Sequence, residues 1–219
     1  MILKTAIGIQ LATKYQHLQT TFKMEPIPGD YKELALKHFG ETEENRRTKI
    51  EEFRQLLLGE CPELLSNIPG QEDSFLLKFL RAGNFEIQTA VQVLKNYIFM
   101  IKSGPQYFSP AFQKGLSTVM KGMNAKDFSI LPIRDSMKRR MILWKPGSWD
   151  PNATSLGDFY SCGYVLMELI AMEEESQIGG AAIICDATNF GLKQLRNIAI
   201  NDIKYLSMFW QISKTHLLF

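Results

Sequence analysis

A strand, a helix and a second strand, all strongly apolar, constrain this chain more than any other feature. Arg140–Trp144 reads as a strand, Gly157–Glu175 as a helix, and Gly180–Cys185 as a short apolar run ending at Asp186. An unbroken run of that kind suits a strand covered on both faces in a parallel sheet. The three segments therefore form one βαβ unit, with an expected right-handed crossover. Phe128–Ile133 reads as a further strand, joined to Arg140–Trp144 through the polar turn Asp135-Ser136-Met137-Lys138. A last helix, about Lys193 to Trp210, is the kind that leads into a next parallel strand. The chain stops soon after it, so the sheet is expected to lack its closing half.

Upstream the apolar period is helical. Glu41–Leu58 carries Ile50, Phe53, Leu56 and Leu57 on one side, and Gly59 and Pro62 stop it. Gln71–Arg81 places Phe75, Leu76, Phe79 and Leu80 on a core-facing stripe. Glu86–Lys102 does the same with Ala90, Val91, Leu94, Tyr97, Ile98 and Ile101, and a shorter helix is expected at Pro110–Met120. Residues 1–29 are expected to be a disordered extension. Within it, residues 1–23 hold Lys4, Lys14, Lys23 and no acid, which fits either a free leader ahead of Met24 or a targeting segment. The expected class is α/β, a helical N-terminal subdomain (30–122) followed by a partial mixed βαβ-type sheet with helices (123–211) and a divergent tail (212–219).

Twenty-five basic against 23 acidic residues leave a net charge of +2, which does not point to nucleic acid. No apolar run approaches the roughly 20 residues of a spanning helix. Cys61, Cys162 and Cys185 are odd in number and widely spaced, so reduced, buried thiols in a soluble cytoplasmic protein are expected. His17, His38 and His216 have no metal-ligand spacing, and no nucleophile elbow, dinucleotide fingerprint or phosphate loop is present. Asp186, at the carboxyl end of an apolar strand, sits where ligands favour open α/β sheets. Such an aspartate more often caps the following turn. Lys138-Arg139-Arg140 reads as a solvated hairpin tip or an anionic headgroup contact, and Glu173-Glu174-Glu175 as a solvated helix end. The expectation is no enzyme, no cofactor and no metal.

The helix over Phe159–Met172 is apolar all round, with Glu168 its only charge. It is either buried on every side or borders an apolar ligand. Tyr160, Tyr164 and Met167 lie at i, i+4 and i+7, one stripe that could line a cavity. Ser161-Cys162-Gly163 lets a neighbour approach the backbone closely.

The run Ser74-Phe75-Leu76-Leu77-Lys78-Phe79-Leu80-Arg81-Ala82-Gly83-Asn84-Phe85, with Ala90 to Tyr97 after it, resembles the N-terminal signature of the CRAL-TRIO lipid-binding family. Arg140–Trp144 into Gly147-Ser148-Trp149-Asp150-Pro151 is similar to the family's strand and Trp-Asp-Pro turn, and Glu168-Leu169-Ile170 and the strand to Asp186 follow in order. The likeness covers about residues 72–211 and is strongest to tocopherol-transfer-type, arthropod-type members. It implies a non-catalytic monomer that encloses a tocopherol, retinoid or phospholipid and exchanges it at membranes. It implies peripheral contact with phosphoinositide-bearing endosomal or other intracellular membranes. By position, the implied cavity residues are Tyr160, Gly163, Tyr164, Met167, Cys185, Phe190, Leu206, Phe209 and Trp210.

Three departures qualify the resemblance. An arginine that the family uses on phosphoinositide headgroups is Gly83 here, and Gly163 and Met167 replace small polar residues of the tocopherol-binding wall. After Gln211 the family's acidic-small-aromatic-proline continuation gives way to Ile212–Phe219. The resemblance then implies a truncated isoform without two strands, the gate helix and further headgroup residues, and weakened lipid binding.

Overall fold

The computed structural model describes residues 28–65, 72–103, 127–205 and 207. These residues fall into two compact units that divide between Ile98 and Phe99.

The first unit is helical. Helix α1 (Gly29–Phe39) follows Pro28 and ends at Gly40, which takes φ 65° to close the turn. The sequence reading left this stretch without a named helix. Helix α2 (Glu43–Glu60) starts with a capping box: the Thr42 hydroxyl accepts from the Asn45 amide, and the Asn45 side chain accepts from the Thr42 amide. Then follow α3 (Pro62–Leu65), α4 (Asp73–Ala82) and α5 (Ile87–Ser103). Helix α2 packs against α4. Phe53, Leu57, Leu76, Phe79, Leu80 and Leu94 are completely buried, so the apolar stripes read from the sequence do meet in one core.

The second unit carries the sheet. Strands β1 (Phe128–Arg134), β2 (Arg140–Trp144) and β3 (Ala181–Cys185) lie in the order β1-β2-β3. The β1–β2 pair is an antiparallel hairpin and the β2–β3 pair is parallel, with Ile142 opposite Ile183. The expected βαβ unit is therefore present. Its helix is α6 (Leu156–Ala171), capped at Ser155, whose hydroxyl accepts from the Asp158 amide.

Three details depart from the sequence reading. The helix expected over 157–175 breaks at Met172–Glu173, and a separate helix, α7 (Glu174–Gly179), follows. The cause is tertiary: one Glu173 oxygen accepts from Arg134 (3.0 Å), from Arg140 (2.9 Å) and from the Ser176 hydroxyl (2.5 Å). Glu173 is thus the clamp that ties β1 and β2 to the start of α7, not a solvated helix end. The run 181–185, expected to be covered on both faces, pairs only with β2 among the described residues, and Ile184 and Cys185 are exposed. The helix expected over 193–210 is α8 (Leu192–Leu195), a turn, and a second helical stretch over 200–205 that opens where the Asp202 carboxylate accepts from the Ala199 amide. The helix expected at Pro110–Met120 lies outside the described residues.

Candidate functional site

Register builds the site. Phe128 stands opposite Trp144 across β1–β2, and Ile142 stands opposite Ile183 across β2–β3. In a pleated sheet, directly paired residues point to the same face. Phe128, Ile142, Trp144 and Ile183 therefore share one face. Helix α6 supplies Tyr160, Gly163, Leu166 and Met167 to the same spot, at i, i+3, i+6 and i+7 on one side of the helix. These eight residues enclose a cavity of about 20 Å³. That is room for about one water, whereas pockets for drug-sized ligands run to roughly 300–1,000 Å³.

The wall owes its shape to Gly163. A Cβ there would lie 3.0 Å from Cζ and 3.2 Å from Cε1 of Phe128, so the ring fills the groove that glycine leaves in α6. Phe128 also stacks on Trp144, with centroids 6.1 Å apart and planes 8° from parallel, and leans on Phe159 at 5.2 Å. Phe159 in turn stacks on Trp149 at 5.4 Å. The Trp149 indole N–H donates to the Thr154 carbonyl at 2.9 Å, which seats the turn after β2.

Of the residues expected at a cavity, the structure places Tyr160, Gly163 and Met167 in its wall. Tyr164 is buried but lies outside the wall. One residue of α6 turns the helix by about 100°, so a stripe through Gly163 passes Tyr164 by. Cys185 is exposed at the end of β3, not buried as expected, and Phe190 is exposed in the loop beyond. Leu206, Phe209 and Trp210 lie outside the described residues. The sequence reading missed Phe128, Ile142, Trp144, Leu166 and Ile183. Alternation along each strand carries that signal, but only the register combines it across three strands.

The polar groups nearby serve the frame. Ser148 donates to the Asp127 carboxylate, and its oxygen lies 2.6 Å from the Lys145 carbonyl. Burial pushes the Asp127 carboxyl above its ordinary value, against the pull of that hydrogen bond. Asp186 caps the turn after β3: its carboxylate accepts from the Thr188 amide at 3.1 Å and faces Lys145 Nζ at 3.6 Å. Hydrogen bonds from Thr188 chiefly, with Lys145 second, hold its carboxyl below the usual range. Burial pushes the Cys162 thiol up to about 11. Among the described residues no three His, Cys, Asp or Glu side chains gather as metal ligands. Nor is any helix among them long and apolar enough to cross a membrane.

An apolar cavity between one helix and a mixed βαβ sheet is what the motifs lead toward, and residues 124–217 match the CRAL/TRIO domain. Over that stretch the chain is similar to the CRAL/TRIO family. It is 28% identical over 160 residues to an alpha-tocopherol transfer protein-like protein of Mus musculus, a stretch that is 73% of this chain and 45% of that protein. The human protein of the same name is 27% identical over 161 residues, with the same coverage. Clavesin-1 of Pongo abelii is 24% identical over 213 residues, 90% of this chain and 56% of that protein. The chain thus spans about half the length of these relatives.

The basic residues that the CRAL/TRIO resemblance brings forward are turned inward. Lys78 is buried, with its Nζ 4.3 Å from the ring centre of Phe75, 4.8 Å from Tyr97 and 5.0 Å from Phe79. Arg81 is buried against Glu41 through two hydrogen bonds of 2.8 and 2.7 Å. At Gly83 a Cβ would come within 2.7 Å of the Ala90 amide nitrogen. No side chain fits there without moving α5, so the missing arginine is written into the helix packing. In the basic triplet, Arg139 is paired with Asp135 at 2.6 Å and Arg140 with Glu173 at 2.9 Å.

Proposed function

We propose that the CRAL/TRIO-like part of this chain binds a small hydrophobic molecule of tocopherol, retinoid or phospholipid type between α6 and the sheet, and carries it between membranes. One observation carries this reading: all three strands and the Gly163 side of α6 converge on a cavity walled by apolar and aromatic side chains. The names of the relatives support the same class of cargo. Tyr160, Gly163 and Met167 form the contact surface on the helix. Tyr164, Cys185, Phe190, Leu206, Phe209 and Trp210 extend it as the cavity widens to ligand size. Residues 30–122 serve as the helical subdomain and residues 123–211 as the lipid-binding part. The role asked of the protein is enclosure and release, with no bond made or broken. Docking of a partner through an exposed α6 wall is the weaker reading, because Tyr164 and Met167 are only 3% and 9% exposed.

Uptake from vesicles tests the proposal. Purified chain is incubated with vesicles carrying labelled alpha-tocopherol, all-trans-retinol or phosphatidylcholine, then separated from them by gel filtration. Wild-type chain is expected to retain one of the three, and Met167→Asp to lose it. Retention of none by wild type, or equal retention by Met167→Asp, overturns the reading.

A further inference from the structure

Phe128 is the first residue of β1, and its backbone is held on both sides. It pairs with Trp144 in the hairpin, and the carbonyl of the preceding Asp127 accepts from the Lys145 amide at 2.8 Å. Its ring, by contrast, is only half-buried and rests in a groove that exists because position 163 has no side chain. What remains beside the ring is the cavity of about 20 Å³. A lipid cannot enter that volume, and protein interiors do not yield space without displacing a side chain. The ring is the wall group that fills the backbone groove of α6 at Gly163.

We infer that Phe128 is the internal plug of the pocket: its ring occupies the place of the ligand, and swings out of the Gly163 groove when an apolar molecule enters. This rests on the cavity being the ligand site. It makes Phe128 and Gly163 the residues that set what fits, since the ligand reaches the α6 backbone only where the ring has left it. Removing the ring converts the site into an apolar void of the order of 100–150 Å³, a size that stays dry and accepts benzene.

Two probes test this on the full chain: an 18-carbon fluorescent polyene fatty acid read by titration, and benzene read by thermal shift. Phe128→Ala is expected to bind the polyene at least about tenfold more tightly than wild type, equivalent to about 1.4 kcal/mol, and to be stabilised by benzene where wild type is not. Phe128→Leu, which keeps a folded apolar wall, is expected to show a smaller gain in the same direction. Gly163→Leu, which fills the groove permanently, is expected to abolish polyene binding. Where wild type takes up the polyene, equal or weaker binding by a folded Phe128→Ala or Phe128→Leu overturns the plug while leaving the lipid reading standing. Benzene stabilisation of Phe128→Ala with no polyene uptake by any variant keeps the plug, now of a small aromatic-sized site, and removes the lipid reading. Absence of both responses overturns both.

Discussion

The buried ion pair of Arg81 and Glu41 offers the sharpest quantitative test of how the helical unit holds together. The Arg81 side chain is 1% exposed and that of Glu41 is 6%, and two charge-assisted hydrogen bonds join them across forty residues of chain. Glu41→Ala leaves the guanidinium in the core without that counter-charge. Breaking a buried pair from one side costs about 3–5 kcal/mol, a large share of the roughly 5–15 kcal/mol that stabilises a domain. For a chain of this length each kcal/mol shifts Tm by roughly 2–4 °C, so a fall of about 6–20 °C is expected. Arg81→Met should cost less, because Arg46 lies 3.4 Å from Glu41 and remains a partner for its carboxylate. Replacing both residues by apolar ones should cost less than Glu41→Ala alone, since an apolar pair avoids the desolvation that already lowers the Arg81 pKa. Urea and thermal unfolding of the two single variants and the double variant give the coupling directly. A Glu41→Ala protein within about 0.5 kcal/mol of wild type, a scatter typical of surface substitutions, would refute the reasoning.

Three further outcomes follow from named geometry. Gly83→Arg, which introduces the headgroup arginine that the resemblance implies, drives a Cβ into the Ala90 nitrogen; it should destabilise by about 1–3 kcal/mol and bring no gain in sedimentation with phosphoinositide vesicles. Thiol labelling followed by mass spectrometry should modify exposed Cys185 first and half-buried Cys61 more slowly, and should reach Cys162, whose thiol burial pushes up to about 11, only on unfolding. At the hairpin, hydrogen bonds from the Arg139 side chain, then from the Arg139 and Met137 amides, hold the Asp135 carboxyl below its ordinary 3.8. A depressed carboxyl stabilises the fold above the unfolded value, and the gain is lost as pH falls through the folded value. Asp135→Asn should therefore melt earlier than wild type at about pH 7, and the gap should close as pH drops below about 4.

Much of this fold is legible in sequence because local period decides it. Ile50, Phe53 and Leu57 on α2, like Phe128 through Ile130 on β1, repeat at the spacing of their element, and the 135–138 turn punctuates the chain where expected. What escaped depends on distant partners. Nothing within five residues of Glu173 says that Arg134 and Arg140 will meet on its carboxylate and break the helix there. Nothing near Arg81 in the sequence pairs it with Glu41, which reaches it from the α1–α2 loop. Cys185 sits in an apolar run yet is exposed, because burial of a strand end depends on which neighbours flank it. The cavity lies at the same limit: three of its four helix residues, Tyr160, Gly163 and Met167, follow from the character of α6, while its strand residues follow only from register.

That division bears on what the pocket can select. On the proposed function, the described wall offers a ligand mainly hydrocarbon and aromatic surface, from Phe128, Trp144, Leu166 and Met167 among others. A pocket of that kind discriminates between ligands by only about 1–3 kcal/mol per methylene, whereas one that must satisfy a hydrogen bond rejects the wrong ligand far more strongly. The resemblance implies small polar side chains where this chain has Gly163 and Met167, and the groove at Gly163 is filled by the Phe128 ring. Selection at this wall therefore works through width and length, set by how far one ring can move against one glycine. Exchanging the ring for a smaller apolar group should broaden the range of molecules taken up, without favouring those that carry a hydroxyl.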